Sequence, residues 1–169
     1  MTLLAAAAQW LIVFVFAGSA AGKAVAFGRF RDGIPALWPV PRRILAPLAG
    51  LVVGGELAVV VLAAVPATRA VGLILAAVLL LAFSGVIVRS LRAASGAACN
   101  CFGGAVVPLA PRHLLRNGFL VLAVIAALRW GGAAAVGGAH LAWALALAFV
   151  AVVPVALLDE FSYVLGTAE

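Results

Sequence analysis

Residues 3–22 and 70–88 carry no charged side chain, and residues 44–65 carry only Glu56. An α-helix needs about 20 predominantly apolar residues to cross the hydrocarbon core of a bilayer. Two further runs, 114–130 and 133–158, approach that standard. The fourth begins with Arg116-Asn117 and requires Arg116 to reach back toward the interface. The fifth is long enough but rich in Gly and Ala, with His140 and Pro154 inside it. The runs are continuous rather than alternating. A helix satisfies its backbone hydrogen bonds within the segment, so helices are expected and a barrel is not. The sequence therefore predicts an all-α polytopic transmembrane bundle, residues 1–169 forming one membrane domain. Five spans are expected, with four as the alternative.

Composition agrees. The chain is 67 % hydrophobic and 9 % charged, whereas a soluble domain carries about 25 % charged residues. The net charge of +6 raises the question of nucleic acid, but no basic-aromatic cluster of the kind that grips single strands is present. Lipid is the expected partner, and oligomeric state is not legible. The N-terminal Met-Thr-Leu-Leu lacks the positive region of a signal peptide.

The basic residues sort by side. With five spans, Lys23, Arg29, Arg31, Arg42, Arg43, Arg89, Arg92, Arg112 and Arg116 share one face, leaving Arg69 and Arg129 on the other. The positive-inside rule then places the first group toward the cytoplasm of a plasma membrane, with the N-terminus outside. Between the first two spans, Phe27, Phe30, Ile34 and Leu37 fall near helical spacing and suggest an amphipathic surface stretch. Gly28, Gly33 and Pro35 argue against one unbroken helix there. Trp38-Pro39 reads as an interfacial anchor and turn. Gly18-x-x-x-Gly22 and Gly50-x-x-x-Gly54 suggest close helix packing.

The chemical content is small. Cys99-Asn100-Cys101-Phe102-Gly103-Gly104 lies between the third and fourth runs. Two cysteines one residue apart can be bridged only through a turn, because a disulfide wants Cα atoms about 4.4–6.8 Å apart. So tight a bridge is labile and suits exchange rather than stapling. A thiol–disulfide exchange pair competes here with inert thiols, a soft-metal site and lipid attachment. Only His113 is near enough in sequence to assist a metal, so no metal is expected. Nearby Arg92, Arg112 and Arg116 would favour a thiolate. Glu56, in mid-span, must face the bundle interior and find a partner, for which Gln9, Ser19, Lys23 and Arg116 are candidates. It then serves either as a proton relay or as a structural clamp. Lys23 and the Arg116-Asn117 pair are supporting candidates, and His140 is expected to be a helix contact.

In order, Gly22-Lys23, Glu56, Cys99-x-Cys101-Phe-Gly and Arg116-Asn117 resemble the MauE family of methylamine-utilisation membrane proteins, grouped with DoxX-like redox-associated proteins. The resemblance covers roughly residues 10–130, and its most specific part is the Cys-x-Cys-Phe-Gly element. It implies a small multi-span bundle with a role in thiol redox or disulfide formation beside a thioredoxin-like partner. In the namesake system that role serves maturation of a disulfide-rich dehydrogenase subunit. Asn100 stands where Gly is expected, and Ala21-Gly22-Lys23 where Ser-Gly-Lys is expected. No cofactor is required by this reading, with a membrane quinone as an alternative electron acceptor.

Overall fold

The computed structural model describes residues 3–93, 98–99, 107–108, 110–131 and 139–152. Its helices are α1 (Leu3–Val25), α2 (Phe27–Leu37), α3 (Arg42–Ala64), α4 (Arg69–Arg92), α5 (Pro111–Trp130) and α6 (Ala139–Val152). Strands β1 (Ala98–Cys99) and β2 (Val107–Pro108) pair antiparallel between α4 and α5, with Cys99 opposite Val107.

Four helices, α1, α3, α4 and α5, are long and apolar enough to cross a membrane. At 1.5 Å per residue each is about 30 Å or longer. They extend past the uncharged runs because flanking arginines join the terminal turns instead of ending the helix, keeping their charged heads at the boundary. α5 starts at Pro111, whose missing N–H costs nothing in a first turn. The described part of the fifth run, α6, is shorter than the four spans. The remainder of that run lies outside the described residues.

The four long helices form a closed ring in the order α1, α3, α4, α5, each packing on two neighbours. Successive members run antiparallel. Gln9 Nε2 donates to Ala63 O at one end of the α1–α3 pair. Arg69 Nη1 donates to Ala127 O (3.1 Å), and Arg69 Nη2 to Gly131 O, where α4 starts and α5 ends. At the tight α3–α4 turn the chain closes on Gly72. A Cβ there would lie 2.3 Å from Ala63 N, so only glycine fits without movement.

Each helix buries a stripe at alternating spacings of three and four. On α3 it runs through Leu45, Ala49, Glu56, Val59 and Ala63. Leu11, Ile12, Phe16, Val59, Leu73, Leu80, Leu120 and Val124 form the main core, and Ala148 of α6 packs into it. The glycine motif on α3 does not serve this packing. Gly50 and Gly54 lie off the buried stripe, and a Cβ on either would meet nothing within 4 Å.

The stretch after α1 also differs from expectation. Residues 27–37 form one continuous helix despite Gly28, Gly33 and Pro35. Both glycines face open space, and Pro35, near the end of the helix, forgoes a single backbone bond, the one its missing N–H would make to Arg31 O. Burial of Ile34, Phe27 and Phe30 against Leu45, Leu48 and Ala49 of α3 outweighs the weak helix propensity. Trp38 N–H closes the helix on Ile34 O, and the Trp38 ring covers the Arg89 guanidinium at 4.4 Å.

Candidate functional site

The polar residues of the spans sit on the buried stripes. Most lie toward the end that carries α2 and β1. Ser19 and Lys23 are on α1, Glu56 on α3, Ser90 on α4, and His113 and Asn117 on α5, all buried. Lys23 is 2 % exposed and Glu56 1 %. Carrying either charge alone into lipid would cost at least about 2.5–3.5 kcal/mol, so each needs the other.

They meet directly. Lys23 Nζ lies 2.6 Å from Glu56 Oε1. Ser19, one turn before Lys23, closes the triangle: its Oγ accepts from Lys23 Nζ at 2.5 Å and donates to Glu56 Oε1 at 3.0 Å. The Phe30 and Phe83 rings flank the ammonium at 5.6 and 5.7 Å, where their π faces add cation–π attraction. Arg116 is close enough to act on Lys23 electrostatically. Glu56 Oε2 is buried and has no hydrogen-bond partner among the described residues. That oxygen is the open acceptor of the cluster. Between α5 and α4, Asn117 Nδ2 donates to Ser84 Oγ at 3.1 Å, and Ser84 Oγ donates to Leu80 O.

Among the sequence candidates, Lys23, Ser19 and Glu56 are thus brought together, with Arg116 nearby. Gln9 is instead committed to the opposite end of α3. Asn117 pairs with Ser84. Phe83 and Ser84 were not singled out from sequence, and Phe30 only as part of the amphipathic stretch. The interruption of the buried α4 stripe by Ser84 and Ser90 was the available signal. His113 is buried in the first turn of α5, and His140 is exposed on α6. The backbone of Cys99 belongs to β1, which packs on α2. Cys101 and the side chain of Cys99 lie outside what is described. α2 therefore touches both the ion pair, through Phe30, and the strand that holds Cys99.

Four antiparallel apolar helices enclosing a buried Lys–Glu pair define a polytopic membrane protein whose intramembrane charges are internally matched. The family of methylamine utilisation protein MauE matches residues 1–131, and the chain belongs to that family. The matched region holds all four span-length helices and every residue of the polar cluster. No curated protein matches the chain, and no solved structure does.

Proposed function

We propose that this chain is a membrane thiol–disulfide exchange protein whose Cys99 and Cys101 cycle between dithiol and disulfide. One thiolate attacks a sulfur of a disulfide in a thioredoxin-like partner, and a mixed disulfide forms. The second cysteine attacks the first, releasing the partner as a dithiol and leaving a Cys99–Cys101 disulfide. Two electrons and two protons leave this chain. In the alternative route a membrane quinone accepts both. Run in reverse, with the Cys99–Cys101 disulfide taking two electrons and two protons from a partner dithiol, the same exchange would support disulfide formation or maturation of a partner protein.

The observation that carries this reading is the position of α2, joined on one side to the Lys23–Glu56 pair and on the other to the strand of Cys99. The helix that flanks the ion pair is thus also the helix on which the backbone of Cys99 packs. Glu56 Oε2 takes up the proton that a thiol gives as it becomes a thiolate. Lys23 holds Oε1 of the same carboxylate, and Arg116 and Asn117 lie in the first half of α5. Membership in the MauE family supports the redox class. The count of basic residues orients this end toward the cytoplasm and the N-terminus outward, with residues 1–169 acting as one membrane unit.

The test is single replacement of each cysteine in cells. Cys101→Ser or Cys99→Ser should trap a mixed disulfide resolved by non-reducing gel, and membrane-impermeant maleimide should report the side of the membrane. A rival reading, a non-catalytic scaffold, draws on the closed Ser19–Lys23–Glu56 triangle, which would serve equally as a helix clamp. It predicts that the double Cys→Ser variant is silent and that no partner is ever trapped.

A further inference from the structure

The end of the bundle that carries α2 also gathers the arginines. Arg29 on α2, Arg42 and Arg43 opening α3, and Arg92 closing α4 are all exposed. The first turns of α3 and α5 contain no acidic residue, and their N-caps, Pro41 and Ala110, supply no side-chain cap. Ile44 N–H and His113 N–H turn back to the carbonyls of Pro41 and Ala110, and Pro111 has no N–H. The first turns therefore leave the backbone N–H groups of Arg42 and Arg43 on α3 and of Arg112 on α5 without a side-chain cap at the positive end of a helix dipole. Arg42, Arg43 and Arg112 add cations to ends that already favour anions. Among the described residues alone this arrangement is electrostatically unfavourable.

Little in the described structure offsets it. Asp32 engages Arg31 at 2.8 Å, and the Lys23–Glu56 pair is closed off in the interior. Among the described residues, Arg29, Arg42, Arg43 and Arg92 form no salt bridge, and Asp32 acts on Arg42 only electrostatically, from a distance. The other end of the bundle holds Arg69 and Arg129, and Arg69 is committed to the carbonyls of α5. Trp38, 47 % exposed at the turn between α2 and α3, is the kind of side chain that settles at headgroup level.

We infer that this end of the bundle is a binding face for anionic phospholipid headgroups, with α2 lying at the interface. A phosphodiester accepts hydrogen bonds from guanidinium groups and from open helix N–H groups alike, so one headgroup chemistry answers both kinds of unmet donor. The cations ring the ends of helices long enough to span a bilayer, where lipid phosphates would lie. That placement selects lipid over an acidic protein. The inference does not depend on the cysteines or on which side of the membrane this end faces.

The test titrates the purified full chain, in neutral detergent, with phosphatidylglycerol or phosphatidylcholine and counts bound lipid by native mass spectrometry. Phosphatidylglycerol should bind at least about tenfold more tightly, since each basic residue at an anionic surface is worth roughly fivefold. Arg29→Gln/Arg42→Gln/Arg43→Gln should lose most of that preference, and Arg129→Gln, at the opposite end, should keep it. Raising salt to about 1 M, where the screening length falls to about 3 Å, should collapse the preference in the unaltered protein, an arm that needs no variant to fold. Equal affinity for the two lipids overturns the inference, and is the outcome expected of a face built for an acidic protein. A preference that survives the triple substitution, or that Arg129→Gln removes to the same extent, also overturns it.

Discussion

Lys23 Nζ sits 2.6 Å from Glu56 Oε1, joining the last turns of α1 to the middle of α3 where neither side chain reaches water. Removing one partner leaves an uncompensated buried charge, at about 3–5 kcal/mol. Glu56→Leu and Lys23→Met should each lower the unfolding midpoint of the detergent-solubilised protein by that order. The double variant Lys23→Met/Glu56→Leu should be more stable than either single one, because the pair's desolvation cost disappears with it. A double variant as unstable as the sum of the singles would mean that the two charges do not act on each other.

The α3–α4 turn gives opposite expectations for two glycines. Gly72→Ala places a Cβ against the backbone of Leu62 and Ala63, and overpacking of this kind costs about 1–3 kcal/mol. Gly50→Ala, with nothing within 4 Å, should be neutral or stabilise by about 0.5–1 kcal/mol through helix propensity. Thermal unfolding of the two variants side by side checks the ordering. Destabilisation by Gly50→Ala would show that the α3 glycine motif packs against something after all.

Arg69 caps α5 from a distance, its two terminal nitrogens donating to Ala127 O and Gly131 O. Hydrogen bonds from a charged donor contribute about 1.5–3 kcal/mol. Arg69→Met should cost about that much and raise amide exchange in the last turn of α5. Arg69→Lys should recover only part, since an ammonium lacks the planar fork that reaches two carbonyls at once. Equal behaviour of the Lys and Met variants would deny the fork its role.

Asn117 and Ser84 tie α5 to α4 through a single 3.1 Å bond. Interhelical side-chain bonds in membranes average about 0.6 kcal/mol and reach about 1.7. A double-mutant cycle on Ser84→Ala and Asn117→Leu should return a coupling in that range. A coupling near zero would leave Asn117 to some other partner.

Much of this was written in the chain. The helical class and the places of the four spans followed from uninterrupted apolar length, because a bilayer leaves the backbone no other way to satisfy its hydrogen bonds. The order Gly22-Lys23, Glu56, Cys99-x-Cys101 and Arg116-Asn117 was enough to point to the family. That Glu56 must be paired was also legible, since a lone carboxylate at that depth is too costly.

Which partner it took was not. Gln9, Ser19, Lys23 and Arg116 were equivalent candidates until helix rotation and axial offset were fixed, and those depend on how four stripes interlock. The packing of the α1–α3 pair brought Ser19 and Lys23 to Glu56 and sent Gln9 to Ala63. Phe30 and Phe83 joined the site only because α2 folds back on α3 and α4 closes the ring. The same geometry left Gly50 and Gly54 outside every interface, although their spacing alone suggested otherwise. Local sequence set which segments enter the membrane, through transfer energies that each residue contributes largely by itself. The tertiary structure decided which buried charges meet, because a contact between residues 33 positions apart is a property of two helices in register and of neither helix alone.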